Sequence, residues 1–207
     1  MLLTLSNLKA LRTDLVPQLV TQFETNFSVK LTEESKTIRD VLGQIDSHLF
    51  QSYTRPTVEV LSSIIQAGIT SPNWVPDTNR PTQVRPYVYD AMVTLVLVHT
   101  EVSTTATPLT TEILSYLLEQ VSQSLLDSFK QRPKYSLPAL MQATLDTEFI
   151  AQTMSQFATE KASQIQSEIY LQLDKSTNND ARARLQNELA DMRVILKKLR
   201  ERTRSEL

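Results

Sequence analysis

Between Gln83 and Ser103 the chain reads QVRPYVYDAMVTLVLVHTEVS, an apolar run whose main polar interruptions are Asp90, Thr94, His99 and Glu101. Its β-branched content would suit a strand, but strands usually end after about five or six residues and nothing breaks this run, so it predicts a helix. Pro86 fits the first helical turn, where its missing N–H would be unpaired anyway, and it pushes Arg85 towards an extended conformation just outside. Tyr87, Val88, Tyr89, Met92, Val93, Leu95, Val96, Leu97, Val98 and Val102 fall on nearly every side of that helix. The expectation is a helix buried all round, the central staff of a bundle. It is too short and too interrupted to cross a bilayer, which needs about 20 apolar residues.

The flanking sequence repeats the helical pattern. Leu5, Leu8, Leu11, Leu15, Leu19 and Phe23 keep three- and four-residue spacing, with Pro17 expected to bend or interrupt the run. Thr32 reads as a cap, with Glu33 and Glu34 opposing the positive end of the dipole, ahead of a stripe at Ile38, Val41, Leu42, Ile45 and Leu49. Arg55-Pro56 predicts a break or kink, after which Val58, Leu61, Ile64 and Ile65 lead to Gly68, read as a C-terminal stop. Thr107-Pro108 opens a further helix through Ile113, Leu117, Val121, Leu125 and Phe129, closed by Pro133. Ser136 or Leu137 and then Thr159-Glu160 start two more. Thr177-Asn178-Asn179 is the turn before a last helix striped by Leu185, Leu189, Met192, Leu196 and Leu199, which fits shallow packing in a bundle better than a free-standing coiled coil.

The pattern vanishes between Ile69 and Arg85, where Pro72, Pro76 and Pro81 are interspersed with polar residues. Most connections run about 4–6 residues, so this one is a boundary between bundles or a loop with a task. Trp74, the only tryptophan, sits in it. It serves either to pin the loop onto neighbouring helices or to anchor a partner. The organisation expected is an N-terminal helical segment over 1–70, a Pro-rich linker over 71–85 and a C-terminal helical bundle over 86–207. The fold class is all-α, about eight helices in antiparallel bundles stacked into an elongated rod.

Composition removes several function classes. Among 207 residues there is no cysteine, so disulfides, thiolate metal sites and cysteine catalysis are excluded. Only Gly43 and Gly68 are glycines, too few for phosphate-cradling loops or strand-rich folds. A net charge of −2 argues against a nucleic-acid partner. The opening Met1-Leu2-Leu3-Thr4-Leu5 lacks the architecture of a signal peptide and reads as the cut end of a longer helix. His48 and His99 have no second ligand at helical spacing, and no nucleophile motif stands out, so no catalytic residue, metal, cofactor or small-molecule substrate is implied.

One charged cluster stands apart: Arg193, Lys197, Lys198, Arg200, Arg202 and Arg204 at the end of the last helix. It reads as a solvated face that complements the helix dipole, or as a contact for anionic membrane lipid or an acidic partner. Trp74 and these six basic residues are the candidate contact residues.

The apolar run from Gln83 to Ser103, with Gln22-Phe23-Glu24-Thr25-Asn26-Phe27-Ser28-Val29-Lys30 and Glu33-Glu34-Ser35-Lys36-Thr37-Ile38, resembles the C-terminal region of exocyst complex component 2, the exocyst subunit known in animals for binding Ral GTPases. The likeness covers most of the chain and weakens after about Lys175. It implies a non-catalytic piece of a vesicle-tethering subunit, cytoplasmic and peripheral at sites of secretion on the plasma membrane, with other exocyst subunits as partners. Ral binding in the animal family belongs to an immunoglobulin-like domain that this all-helical sequence does not contain. A tether segment of this kind is expected to leave apolar patches exposed for docking.

Overall fold

A computed structural model of the chain describes residues 1–76 and 80–206, with the side chains of 203–206 left out of account. Among the described residues eight α-helical segments follow one another: α1 (Leu2–Ala10), α2 (Val16–Phe27), α3 (Thr32–Thr70), α4 (Pro86–Thr105), α5 (Thr110–Lys130), α6 (Leu137–Thr153), α7 (Glu160–Lys175) and α8 (Asn179–Glu206). No strand occurs among the described residues, and the expected all-α class is what the structure shows.

Local chemistry sets most boundaries. A π-helical turn over Leu11–Leu15 joins α1 to α2 just ahead of Pro17, which cannot donate to the carbonyl four residues earlier. The expected interruption therefore takes the form of a widened turn. Ser28 leaves α2 in the left-handed conformation at φ 54°. The Ser136 hydroxyl accepts from the Ala139 N–H, that of Thr159 accepts from Ala162, and the Asn178 side chain accepts from Ala181, so α6, α7 and α8 each start on a side-chain cap.

The break expected at Pro56 and the stop expected at Gly68 are corrected. The helix runs through Pro56 without a break, because both Pro56 and Ser52 are exposed and water can satisfy the carbonyl that proline leaves unpaired. Gly68 is not a terminal glycine either, since no glycine has positive φ and the helix continues to Thr70. Gly68 is a packing residue: a Cβ there would lie 2.3 Å from the Tyr87 Cβ, so only glycine lets α3 and α4 approach this closely.

The chain divides into two compact units, one comprising 1–57 and 98–113, the other 58–97 and 114–207. In the first, Leu2, Leu5, Val102, Leu109 and Ile113 are buried, and Lys9 pairs with Glu112 at 2.6 Å. Its α2–α3 hairpin is antiparallel: Glu24 accepts from the Leu31 N–H at 2.7 Å near the turn, and Arg12 pairs with Asp46 at 2.8 Å towards the other end.

In the second unit the central helix is α6, where every residue from Ala139 to Thr147 is buried. It packs against α8 and α7. This corrects the expectation for α4, which is buried on one side through Val88, Ala91, Met92 and Leu95 but leaves Tyr89, Val93 and Leu97 exposed at 38%, 58% and 66%. These three recur every fourth residue and form one uncovered stripe. Apolar content alone did not identify the central helix, because α6 carries Gln142, Thr144, Asp146 and Thr147 into the core.

Candidate interaction surfaces

Trp74 lies inside the second unit, 2% exposed. A short 3₁₀ turn over Pro72–Trp74 carries the ring to within 5.9 Å of the Phe129 ring and 6.3 Å of the Tyr135 ring. The Arg132 guanidinium lies 4.5 Å from the ring centroid, and it donates to the Ile69 carbonyl at 2.7 Å. In this arrangement the indole is enclosed by Phe129, Tyr135 and Arg132 and pins the loop to its neighbours. Its N–H is buried without a hydrogen-bond partner of good geometry.

The exit of the same connection is tied to α6. Arg85 donates its backbone N–H to Asp146 at 3.1 Å and its Nε to the Trp74 carbonyl at 2.7 Å. Tyr87 donates its hydroxyl to Asp146 at 3.0 Å, and Gln142 donates to both Asp146 and the Gln83 carbonyl. Arg80 pairs with Glu188 at 2.8 Å and Asp191 at 3.0 Å on α8. The sequence pointed to Trp74 but not to Asp146, since an acidic residue amid alanines and threonines reads as a solvent position.

At the end of α8, Met192, Leu196 and Leu199 are buried while Arg193, Lys197, Lys198, Arg200 and Arg202 are exposed. Lys197 faces Glu201 at 4.0 Å, and Arg200 donates to Gln152 on α6 at 3.0 Å. The Arg204 side chain lies outside the described residues. Arg193 lines a groove of about 280 Å³ with Thr144, Glu148, Leu189 and Met192. On the other edge of α6, Leu140, Leu171, Leu173 and Leu185 line a second groove of about 530 Å³.

An uncovered apolar face lies in the first unit. Leu15, Leu19, Phe23 and Phe27 descend α2 every fourth residue, and Ile38, Val41 and Ile45 line α3; all seven are between 42% and 64% exposed. The packed edge of α2 runs through half-buried Val16, Val20 and Glu24, and that of α3 through Ser35, Leu42, Asp46 and Leu49. Both exposed stripes are displaced from the packed edge in the same rotational sense, and in an antiparallel pair equal displacements fall on the same side. The two stripes thus make one face, flanked by the exposed neutral side chains of Gln18, Gln22, Asn26, Thr37 and Gln44, with exposed Glu34 one turn before Ile38. The periodicity made these positions look like core, and the structure leaves them open.

Catalytic geometry is not what these surfaces offer. His48 and His99 are both exposed, and among the described residues no group of three or more His, Cys, Asp or Glu side chains could hold a metal ion. No helix of the described residues is long and apolar enough to cross a membrane.

The described residues thus make an all-α protein with an exposed two-helix apolar face. The chain belongs to the exocyst complex component Sec5 family, whose model matches residues 1–207. It is similar to exocyst complex component 2 of Homo sapiens, 28% identical over 120 residues, covering 57% of this chain and 13% of that protein. The Mus musculus protein of the same name is 26% identical over 123 residues, covering 58% and 13%. The match thus spans only 13% of the length of either relative. No solved structure matches the chain significantly.

Proposed function

We propose that this chain is a non-catalytic structural segment of an exocyst subunit, scaffolding the complex that tethers secretory vesicles to the plasma membrane before fusion. The observation that carries this reading is the α2–α3 apolar face in a chain of the Sec5 family. Two helices fixed to each other by the Arg12–Asp46 pair and the Glu24–Leu31 contact hold seven apolar side chains in place for a partner helix, so little ordering entropy is lost on docking. The partners are other exocyst subunits, and the site of action is the cytoplasmic face of the plasma membrane.

The test is capture of the tagged chain from a eukaryotic lysate with cross-linking and mass spectrometry, beside a Leu19→Asp/Phe23→Asp variant. Exocyst subunits recovered with wild type, cross-linked to α2 and α3 and lost with the variant, are the expected result. Recovery of none by the wild type, or equal recovery by the variant, would overturn the assignment of this face.

A second reading concerns the α8 end, where Arg193, Lys197 and Lys198 are exposed beside a packed apolar edge. With Met192, Leu196 and Leu199 occupied in the core, contact there is electrostatic and superficial, suited to anionic lipid or an acidic partner surface. Salt-sensitive binding to anionic liposomes that disappears in Lys197→Glu/Lys198→Glu is expected on this reading, and unchanged binding in the variant would remove it.

A further inference from the structure

The α3 part of the apolar face reads almost the same in both directions. Glu34, Ile38, Val41, Ile45 and His48 follow at steps of four, three, four and three residues, and all five are exposed on one side of the helix. Counted from Val41, an isoleucine stands three residues before it and another four after it. Seven residues away on either side, a rise of about 10 Å, is an ionisable group, a carboxylate at one end and an imidazole at the other. Glu33, Lys36, Arg39 and Asp40 fall on other sides of the helix.

α2 shares the same centre. Arg12 pairs with Asp46 across the antiparallel hairpin, and five residues on from Arg12 and five back from Asp46 bring Pro17 level with Val41. Leu15 and Leu19 lie two residues to either side of Pro17, and half-buried Leu11 mirrors Phe23 at six.

A half-turn about an axis at this level, in the plane of the face and across the helices, lays a second copy of the face on the first. Each helix then meets its own symmetry mate antiparallel, with Val41 on Val41, Ile38 on Ile45, Leu15 on Leu19, and Glu34 of each copy beside His48 of the other. We propose that the α2–α3 face pairs with the same face of a second copy of this chain, closing a four-helix bundle about a two-fold axis at Val41.

Area and charge both fit this occupant. With roughly 100 Å² open on each of the seven half-exposed apolar side chains, the patch is on the order of 700 Å². A monomer typically leaves at most about 300–600 Å² open in one patch, and a specific interface takes about 800 Å² per partner. A two-fold contact sets like groups facing like wherever they lie on the axis, so charge is tolerated only in complementary pairs away from it. Glu34 and His48 are such a pair, and the imidazole donates an N–H to the carboxylate whether neutral or protonated. The pairing does not rest on the tethering reading. It covers the same side chains, so a partner helix and a second copy exclude each other there.

Sedimentation equilibrium of the full chain tests the pairing. Average weight is expected to rise from one chain towards two between about 1 and 100 µM at about 0.1 M salt, and to stay at one in Leu19→Asp/Phe23→Asp. His48→Glu puts like charges together at both ends and should weaken association about tenfold, while Glu34→Lys/His48→Glu, which exchanges the charges, should return it to within about threefold of wild type. The chain has no cysteine, so a single one reports the register. Val41→Cys sits on the axis and should form a disulfide-linked pair under mild oxidation much faster than Lys36→Cys, on another side of α3. A wild-type chain that stays single at about 100 µM leaves the face to a different chain and overturns the proposal. So does association that survives Leu19→Asp/Phe23→Asp, a charge exchange no tighter than His48→Glu alone, or equal cross-linking at the two cysteines.

Discussion

Gly68 on α3 and Tyr87 on α4 touch at the point where a side chain would not fit: a Cβ added to Gly68 would stand 2.3 Å from Tyr87 Cβ and 2.4 Å from Cγ. Neither atom is the free end of a flexible chain, and Tyr87 is also held by its hydroxyl on Asp146. Gly68→Ala must therefore push two helices apart.

That substitution is expected to destabilise the protein by at least the ~1–3 kcal/mol typical of overpacking. Gly43, in the same helix, has nothing within 4 Å of the corresponding position. Gly43→Ala should stabilise by about 0.5–1 kcal/mol through the reduced entropy cost of the helix. Urea denaturation of the two variants beside wild type checks the opposite signs.

Arg132 donates Nε and Nη2 to the Ile69 carbonyl at 3.2 and 2.7 Å, in the last turn of α3, while stacking on Trp74. A guanidinium is placed there on the negative end of a helix dipole and on an aromatic face at once. Arg132→Ala should cost about 1–3 kcal/mol, the range for lost hydrogen bonds to charged groups. Arg132→Lys should recover only part of it, because an ammonium lacks the planar fork. Denaturation followed by Trp74 emission measures both.

Asp146 gives stability a pH dependence of definite sign. Its carboxyl is raised in the folded protein to about 7 from 3.8, so between those values the native state holds more protons than the unfolded state. Stability then falls as pH rises through this window and levels off above it. The contribution of this one group is at most a few kcal/mol, at about 1.4 kcal/mol per pH unit. Melting temperatures across the window should decline with pH in the wild type more steeply than in Asp146→Asn, whatever the slope the remaining groups impose.

Exposed and buried leucines of α2 and α3 should respond differently. Leu19 is 61% exposed and Leu61 is 1% exposed. Leu19→Asn should alter stability by no more than about 0.5 kcal/mol, whereas Leu61→Ala should cost about 2–5 kcal/mol. Equal losses in thermal denaturation would mean that the α2 stripe is packed in solution.

Element type was legible in the sequence because three- and four-residue spacing and caps such as Ser136 and Thr159 are local signals. Which face meets which neighbour was not. Leu15, Leu19 and Phe23 have the spacing of core positions yet remain open, since periodicity records that a face is apolar and says nothing of what covers it. Conversely, α6 is central despite its polar residues, because Thr144 bonds back to the Leu140 carbonyl and Gln142 and Asp146 find partners 59 to 61 residues away in sequence. Pro56 and Gly68 were read through their usual local roles. Exposure rescued the helix at the first, and a tertiary contact explains the second.

The largely neutral flanks of the α2–α3 face have a kinetic consequence. With Gln18, Gln22, Asn26, Thr37 and Gln44 along the apolar stripes and Glu34 as an acidic side chain one turn before Ile38, charge on this face is sparse, so encounter there proceeds near the ordinary rate of about 10⁵–10⁶ M⁻¹s⁻¹ and changes only modestly with salt. A complex formed on this face is long-lived or short-lived according to how slowly it comes apart. Contact through the basic end of α8 would behave in the opposite way, fast to form in dilute salt and quick to fade as ionic strength rises.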